Sequence, residues 1–129
     1  MEKSVAVFFA LGILVAASAG AHHSMSATFD LSQRFTETGT LIKLDWRNPH
    51  IYVSVDVTSD QGQVETWLFE GPSPGSFGIR GIGKSDFANS IGMTVSVEAS
   101  RARDGSLSGL IRQITLADGT VVPFCPQHC

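Results

Sequence analysis

Three histidines are the residues best suited to chemistry in this chain. His22 and His23 follow Ala19-Gly20-Ala21, and His50 closes the run Trp46-Arg47-Asn48-Pro49-His50. Ala19-Gly20-Ala21 has the small-x-small pattern that a signal peptidase reads, after a start carrying Lys3 and an uncharged apolar run from Val5 to Ala17. Cleavage after Ala21 makes His22 the first residue, and its free amine and imidazole can then chelate one ion together. A third nitrogen from His50 completes a T-shaped donor set, which resembles the histidine brace of copper proteins. Amine and imidazole donors suit Cu(II). The arm between is long enough, since ten extended residues reach roughly 33 Å. Cleavage after Ala19, the second choice, places histidine third. There the amine, two amides and the ring can wrap square-planar Cu(II) or Ni(II). The plain alternative is a solvated terminus and a turn histidine satisfied by local hydrogen bonds.

Two further groups bear on this chemistry. Glu70 ends the run Trp67-Leu68-Phe69-Glu70 and is a candidate fourth ligand, or the partner of one. Cys125 and Cys129 are the two cysteines. In an exported protein they read as a short disulfide that staples the tail, because the stabilisation grows with loop length. Free thiols and a thiolate metal site within Cys125-Pro126-Gln127-His128-Cys129 are the alternatives.

Composition narrows the classes. Val5 to Ala17 is short of the roughly 20 residues that span a bilayer, and no later stretch approaches that length. The expected product is periplasmic or secreted, with no membrane attachment after cleavage. The net charge is −3 and the cations are scattered, which argues against nucleic acid, where phosphate neutralisation dominates affinity. There is no Gly-x-Ser-x-Gly elbow, phosphate loop or His-Glu-x-x-His. Glu98 and Asp104 show no acid–base partner in the sequence. A binding protein is therefore favoured over an enzyme, with a copper oxidant as the third class.

The elements that must position these residues are strands. Residues 1–21 read as the leader, 22–34 as an extended arm, 35–124 as one β-domain and 125–129 as a tail. Ile42, Leu44 and Trp46 are expected on one face. Ile51, Val53, Val55 and Val57 alternate with polar residues, as do Trp67 and Phe69, and then Met93, Val95, Val97 and Ala99. Leu110, Ile114 and Leu116 are expected to share a face. Asp104-Gly105 and Asp118-Gly119 are hairpin turns. Between Glu70 and Gly92 the chain is glycine-rich. A weak helix after Ser73 starts on Pro74, and a short turn at Ser85 to Ser90 is capped by Ser85. Three strands, a helical or irregular connection and two or three more strands predict a mainly β fold. The fitting architecture is a small five- to six-stranded, partly open barrel of the oligonucleotide/oligosaccharide-binding (OB) type, with a small β-sandwich as runner-up.

His22-His23-Ser24, Gly39-Thr40-Leu41, Trp46-Arg47-Asn48-Pro49-His50, Trp67-Leu68-Phe69-Glu70, Arg80-Gly81 and Arg103-Asp104-Gly105-Ser106 carry a resemblance. In these residues the chain resembles DUF family 6152, small secreted bacterial proteins of unknown function. The resemblance implies export and a small β-barrel-like domain, and no activity. The glycine-rich segment and the cysteine tail depart from the family pattern.

Two functions are therefore expected to compete. One is a non-enzymatic copper-binding protein using His22 and His50 with His23 nearby. The other is an OB-type interaction module for a periplasmic protein, peptide or glycan, whose ligand face could be lined by Trp46, Tyr52 and Trp67, although the alternation of Trp46 and Trp67 with core residues favours core packing for both.

Overall fold

The computed structural model describes residues 25–125. Six strands run as β1 (Phe29–Asp45), β2 (Tyr52–Thr58), β3 (Val64–Glu70), β4 (Thr94–Ala102), β5 (Ser108–Thr115) and β6 (Val121–Pro123). β2 and β4 flank the long β1 antiparallel, and β5 pairs with β4. β3 returns to β5 in parallel, with Phe69 opposite Gly109 and Glu70 opposite Leu110. That pairing closes a five-stranded barrel with the strand order of an OB-type fold, and β6 adds to the far half of β5. The OB-like expectation stands, and the sandwich is set aside.

One barrel end is filled from the connection between β3 and β4. Helix α1 (Pro74–Gly78) starts on proline, as expected, and presents buried Phe77. A 3-10 helix η1 (Lys84–Ser90) presents buried Phe87. Its start is held by Asp86, whose Oδ2 accepts the Gly83 N–H at 2.7 Å, and not by Ser85. Trp46 lies 5.3 Å from the Phe77 ring and 5.7 Å from Phe87, and Phe124 meets both rings edge-on. With Leu41, Val53, Val55, Trp67, Phe69, Val97 and Ile114 these rings form one continuous core.

Three expectations are corrected. In β1, Ile42 is 44% exposed and Leu41 is fully buried. The register slips between Leu41 and Lys43, so one extra residue turns the chain over and leaves Leu41 and Leu44 inside. In β5, Ile111 and Ile114 face the core, while Leu110 packs in a separate outer cluster. A second slip, where Glu98 and Ala99 meet Gln113 and Ile111, has the same effect. The supposed arm is structured as well. Residues 25–28 are helical, and β1 begins at Phe29 opposite Ala102. Met25, Phe29 and Leu31 gather with Ala102 and Leu110, which removes their apolar surface from water.

Gly39 marks the place where β1 passes from β4 to β2, since Thr40 pairs with both Thr94 and Asp56. A Cβ on Gly39 would lie 2.2 Å from the Asp56 carbonyl oxygen, so only glycine allows this approach.

Candidate functional site

His50 sits where β1 has ended and β2 is about to begin, just after the cis Asn48–Pro49 bond. The next residues are clamped. Ile51 donates to the Pro72 carbonyl at 3.0 Å and accepts from the Gly71 N–H at 2.8 Å, which continues the β2–β3 pairing beyond both strands. This clamp sets the imidazole beside Gly71. His50 Nδ1 lies 3.1 Å from the Gly71 carbonyl oxygen and 3.6 Å from Glu70 Oε1. A carbonyl can only accept, so Nδ1 carries the proton and Nε2 holds the ring's lone pair. Nε2 has no hydrogen-bond partner among the described residues. The His50 side chain is 38% exposed and that of Glu70 25%. Gly71 is buried against Phe124, whose ring a Cβ there would meet at 2.7 Å. The site therefore leans directly on the aromatic filling of the barrel.

The strand registers carry an outer row from this site around the barrel toward the opposite end. Asp45 is opposite Tyr52, Tyr52 opposite Glu70, Glu70 opposite Leu110, and Leu110 opposite Ser100. Arg47 Nε is 3.2 Å from Asp45 Oδ2, and its guanidinium lies 5.9 Å from the centre of the Tyr52 ring. Leu110 belongs to the outer cluster against which Met25 packs. The described chain thus begins on the outer surface of β5, one strand from Glu70.

Glu70 is brought to His50, where it lies beside Nδ1 rather than Nε2. Among the described residues, no three His, Cys, Asp or Glu side chains gather as a metal site. His22 and His23 lie outside the described residues, as do the leader and Cys129. Cys125 follows Phe124 at the end of β6, its N–H 3.1 Å from the Arg112 carbonyl oxygen. Trp67 is 5% exposed and belongs to the core, and Trp46 packs against it, so neither forms an exposed ligand face.

Sequence reasoning missed two other residues. The Arg101 guanidinium lies 4.4 Å from the centre of the Phe35 ring and 5.5 Å from that of Trp67, at the barrel end opposite the helices. An arginine at an inward position of the β4 alternation was the available signal.

A model for a family described as a family of unknown function (DUF6152) matches residues 11–113. The match contains His22, His23, His50, Glu70 and Arg101, and ends before β6 and Cys125. No curated protein and no solved structure shows a significant match to the chain. A match over most of the sequence, on a barrel that carries the Trp46 to His50 stretch at its filled end, decides the assignment: the chain belongs to the DUF6152 family of unknown function.

Proposed function

We propose that this protein is an exported, non-enzymatic copper-binding module, in which His50 supplies Nε2 and the processed amino terminus at His22 supplies the other donors. The observation that carries the reading is the pair of oxygens beside His50 Nδ1. The Gly71 carbonyl and the Glu70 carboxylate both address Nδ1, which leaves Nε2 as the donor nitrogen. Ligand histidines are commonly held this way, and such partners orient the ring and raise its basicity. Glu70 then acts through His50 and does not touch the ion. The position of Met25 supports the second half of the reading. His22 is three positions before it, a reach of roughly 10 Å when extended, and Met25 packs on a surface that adjoins Glu70. His23 sits within the same reach.

The test uses the exported protein after an intact mass has fixed the cut. Cu(II) is titrated and its electron paramagnetic resonance spectrum recorded. The expected result is one tight site with nitrogen hyperfine structure, weakened about tenfold to a hundredfold in His50→Ala and in Glu70→Gln. Binding that is unchanged in both His22→Ala and His50→Ala overturns the reading. A periplasmic pull-down that yields one defined protein or glycan equally well after chelation would replace it with the interaction-module alternative.

A further inference from the structure

We propose that the barrel end away from α1 and η1, called the open end below, binds a monocarboxylate with a flat or apolar body, held by the guanidinium of Arg101. The inference is independent of the copper reading.

The chain has six arginines. Five of them donate to an oxygen. Arg34 Nη1 reaches Glu98 at 3.2 Å, Arg47 Nε reaches Asp45 at 3.2 Å, and Arg80 Nη1 reaches the Pro123 carbonyl at 2.7 Å. Arg103 Nε reaches the Ser26 carbonyl at 2.8 Å and Arg112 Nε the Ser100 hydroxyl at 3.0 Å. The Arg101 guanidinium has no hydrogen bond and no ion pair among the described residues, although the residue is half-buried. Two rings hold it instead. Ring faces attract the cation but leave the in-plane N–H edge of the guanidinium without an acceptor. A partly desolvated donor set with a fixed position and no acceptor is suited to receive one, and its fork matches a carboxylate bidentately.

The surroundings select the rest of the ligand. Gly109 stands opposite Arg101 in the β4–β5 register. A Cβ on it would lie 3.1 Å from Phe35 Cζ and 3.0 Å from the Ser100 carbonyl oxygen. Glycine therefore leaves room for the Phe35 ring, which offers an apolar surface beside the cation. Glu37 and Glu65 alternate with exposed neighbours and fall on the inner side of β1 and β3, two residues from Phe35 and Trp67. Neither forms an ion pair with Arg101. Their charges, and the net −3 of the chain, oppose a multiply charged anion such as phosphate. A single carboxylate on an apolar body meets all three conditions.

The test uses benzoate as the probe, in chelator so that metal plays no part, with inorganic phosphate and benzylamine as comparisons. Nitrogen-edited NMR follows Arg101 Nε–H and the Trp67 indole. Saturable shifts at both groups with benzoate, and weaker binding of phosphate and benzylamine, are expected. Arg101→Met, which keeps the stem over the rings, should weaken benzoate about tenfold or more, and Arg101→Lys should fall between. Three results overturn the proposal: an unmoved Arg101 Nε–H in the wild-type protein, unchanged benzoate affinity in Arg101→Met, or phosphate binding as tight as benzoate. The first needs no variant, so a folding defect in Arg101→Met leaves the test intact.

Discussion

The two ends of the barrel each carry an arginine over an aromatic ring, and they use it differently. At the filled end the Arg80 guanidinium lies 4.5 Å from the centre of the Phe77 ring, and its Nη1 is tied to the Pro123 carbonyl of β6. There the cation joins the connection segment to an added strand over a core of four interlocked rings. At the open end Arg101 stands on Phe35 and Trp67, and no oxygen accepts from its guanidinium among the described residues. The same pairing of cation and ring is a structural rivet in one place and, under the monocarboxylate proposal, a half-buried binding group in the other. The difference lies in whether a backbone carbonyl accepts from the guanidinium: Arg80 Nη1 has one, although its buried Nη2 has no partner among the described residues. His50 belongs to the filled end, whose rigidity it shares through Gly71.

The sharpest way to break this comparison is to truncate a ring at each end. Phe77→Ala removes a fully buried side chain that touches Trp46 and Phe124, and should cost about 3–5 kcal/mol in denaturant unfolding. Phe35→Leu, at a partly buried ring whose contacts are Trp67, Phe69 and the Arg101 cation, should cost only about 1 kcal/mol. Equal losses would show that the open end is as integral to the core as the filled one. Gly39→Ala tests the strand that joins the ends. Its Cβ would press on the Asp56 carbonyl, and since the obstacle is backbone the strands must part. A loss of about 1–3 kcal/mol is expected, and no loss would mean that the bend in β1 is softer than its geometry implies.

The sequence makes the filled end's chain path legible and its packing much less so. Alternation in Ile51 to Val57 and at Trp67 and Phe69 identifies β2 and β3 because both strands keep their register throughout. It fails at Ile42 and Leu110 because each strand contains a slip, and a slip leaves no trace in a period-2 pattern except a misplaced face. Met25, Phe29 and Leu31 look like isolated apolar residues in a polar arm, since their partners Ala102 and Leu110 are far away in sequence. His50 stands out by residue type and by the Asn-Pro turn before it. Its partner nitrogen does not, because the Gly71 carbonyl reaches it only through pairing that extends past the strand ends. Arg101 is legible as an inward position of the β4 alternation, but its seat on Phe35 and Trp67 is not, because both rings come from distant strands.

The finest test of the comparison is electrostatic. Asp104 lies in the β4–β5 turn at the open end, and Asp118 in the β5–β6 turn at the filled end. The Ser106 hydroxyl and N–H hold the Asp104 carboxyl below the ordinary aspartate range, and the Thr120 N–H does the same for Asp118. A carboxyl whose folded value is depressed contributes stability that is complete above the unfolded value, roughly pH 4, and is lost as pH falls through the folded one. Asp104→Ala and Asp118→Ala should therefore lower the melting temperature near neutrality, with the difference from wild type shrinking as the pH falls below the ordinary aspartate range. A difference that persists in acid would assign the effect to turn geometry rather than to charge. The two variants should also rank. The turn at Asp118 is anchored to η1, where the Ala117 N–H reaches the buried Ser90 hydroxyl at 3.1 Å, so loosening it disturbs the ring cluster. The turn at Asp104 reaches outward, with Arg103 tied to the carbonyls of Ser26 and Thr28 in the helical residues before β1. Asp118→Ala should show the larger fall in melting temperature, while Asp104→Ala should appear mainly as faster amide exchange at residues 103–108. The reverse order would place the rigid part of the molecule at the end assigned here to recognition.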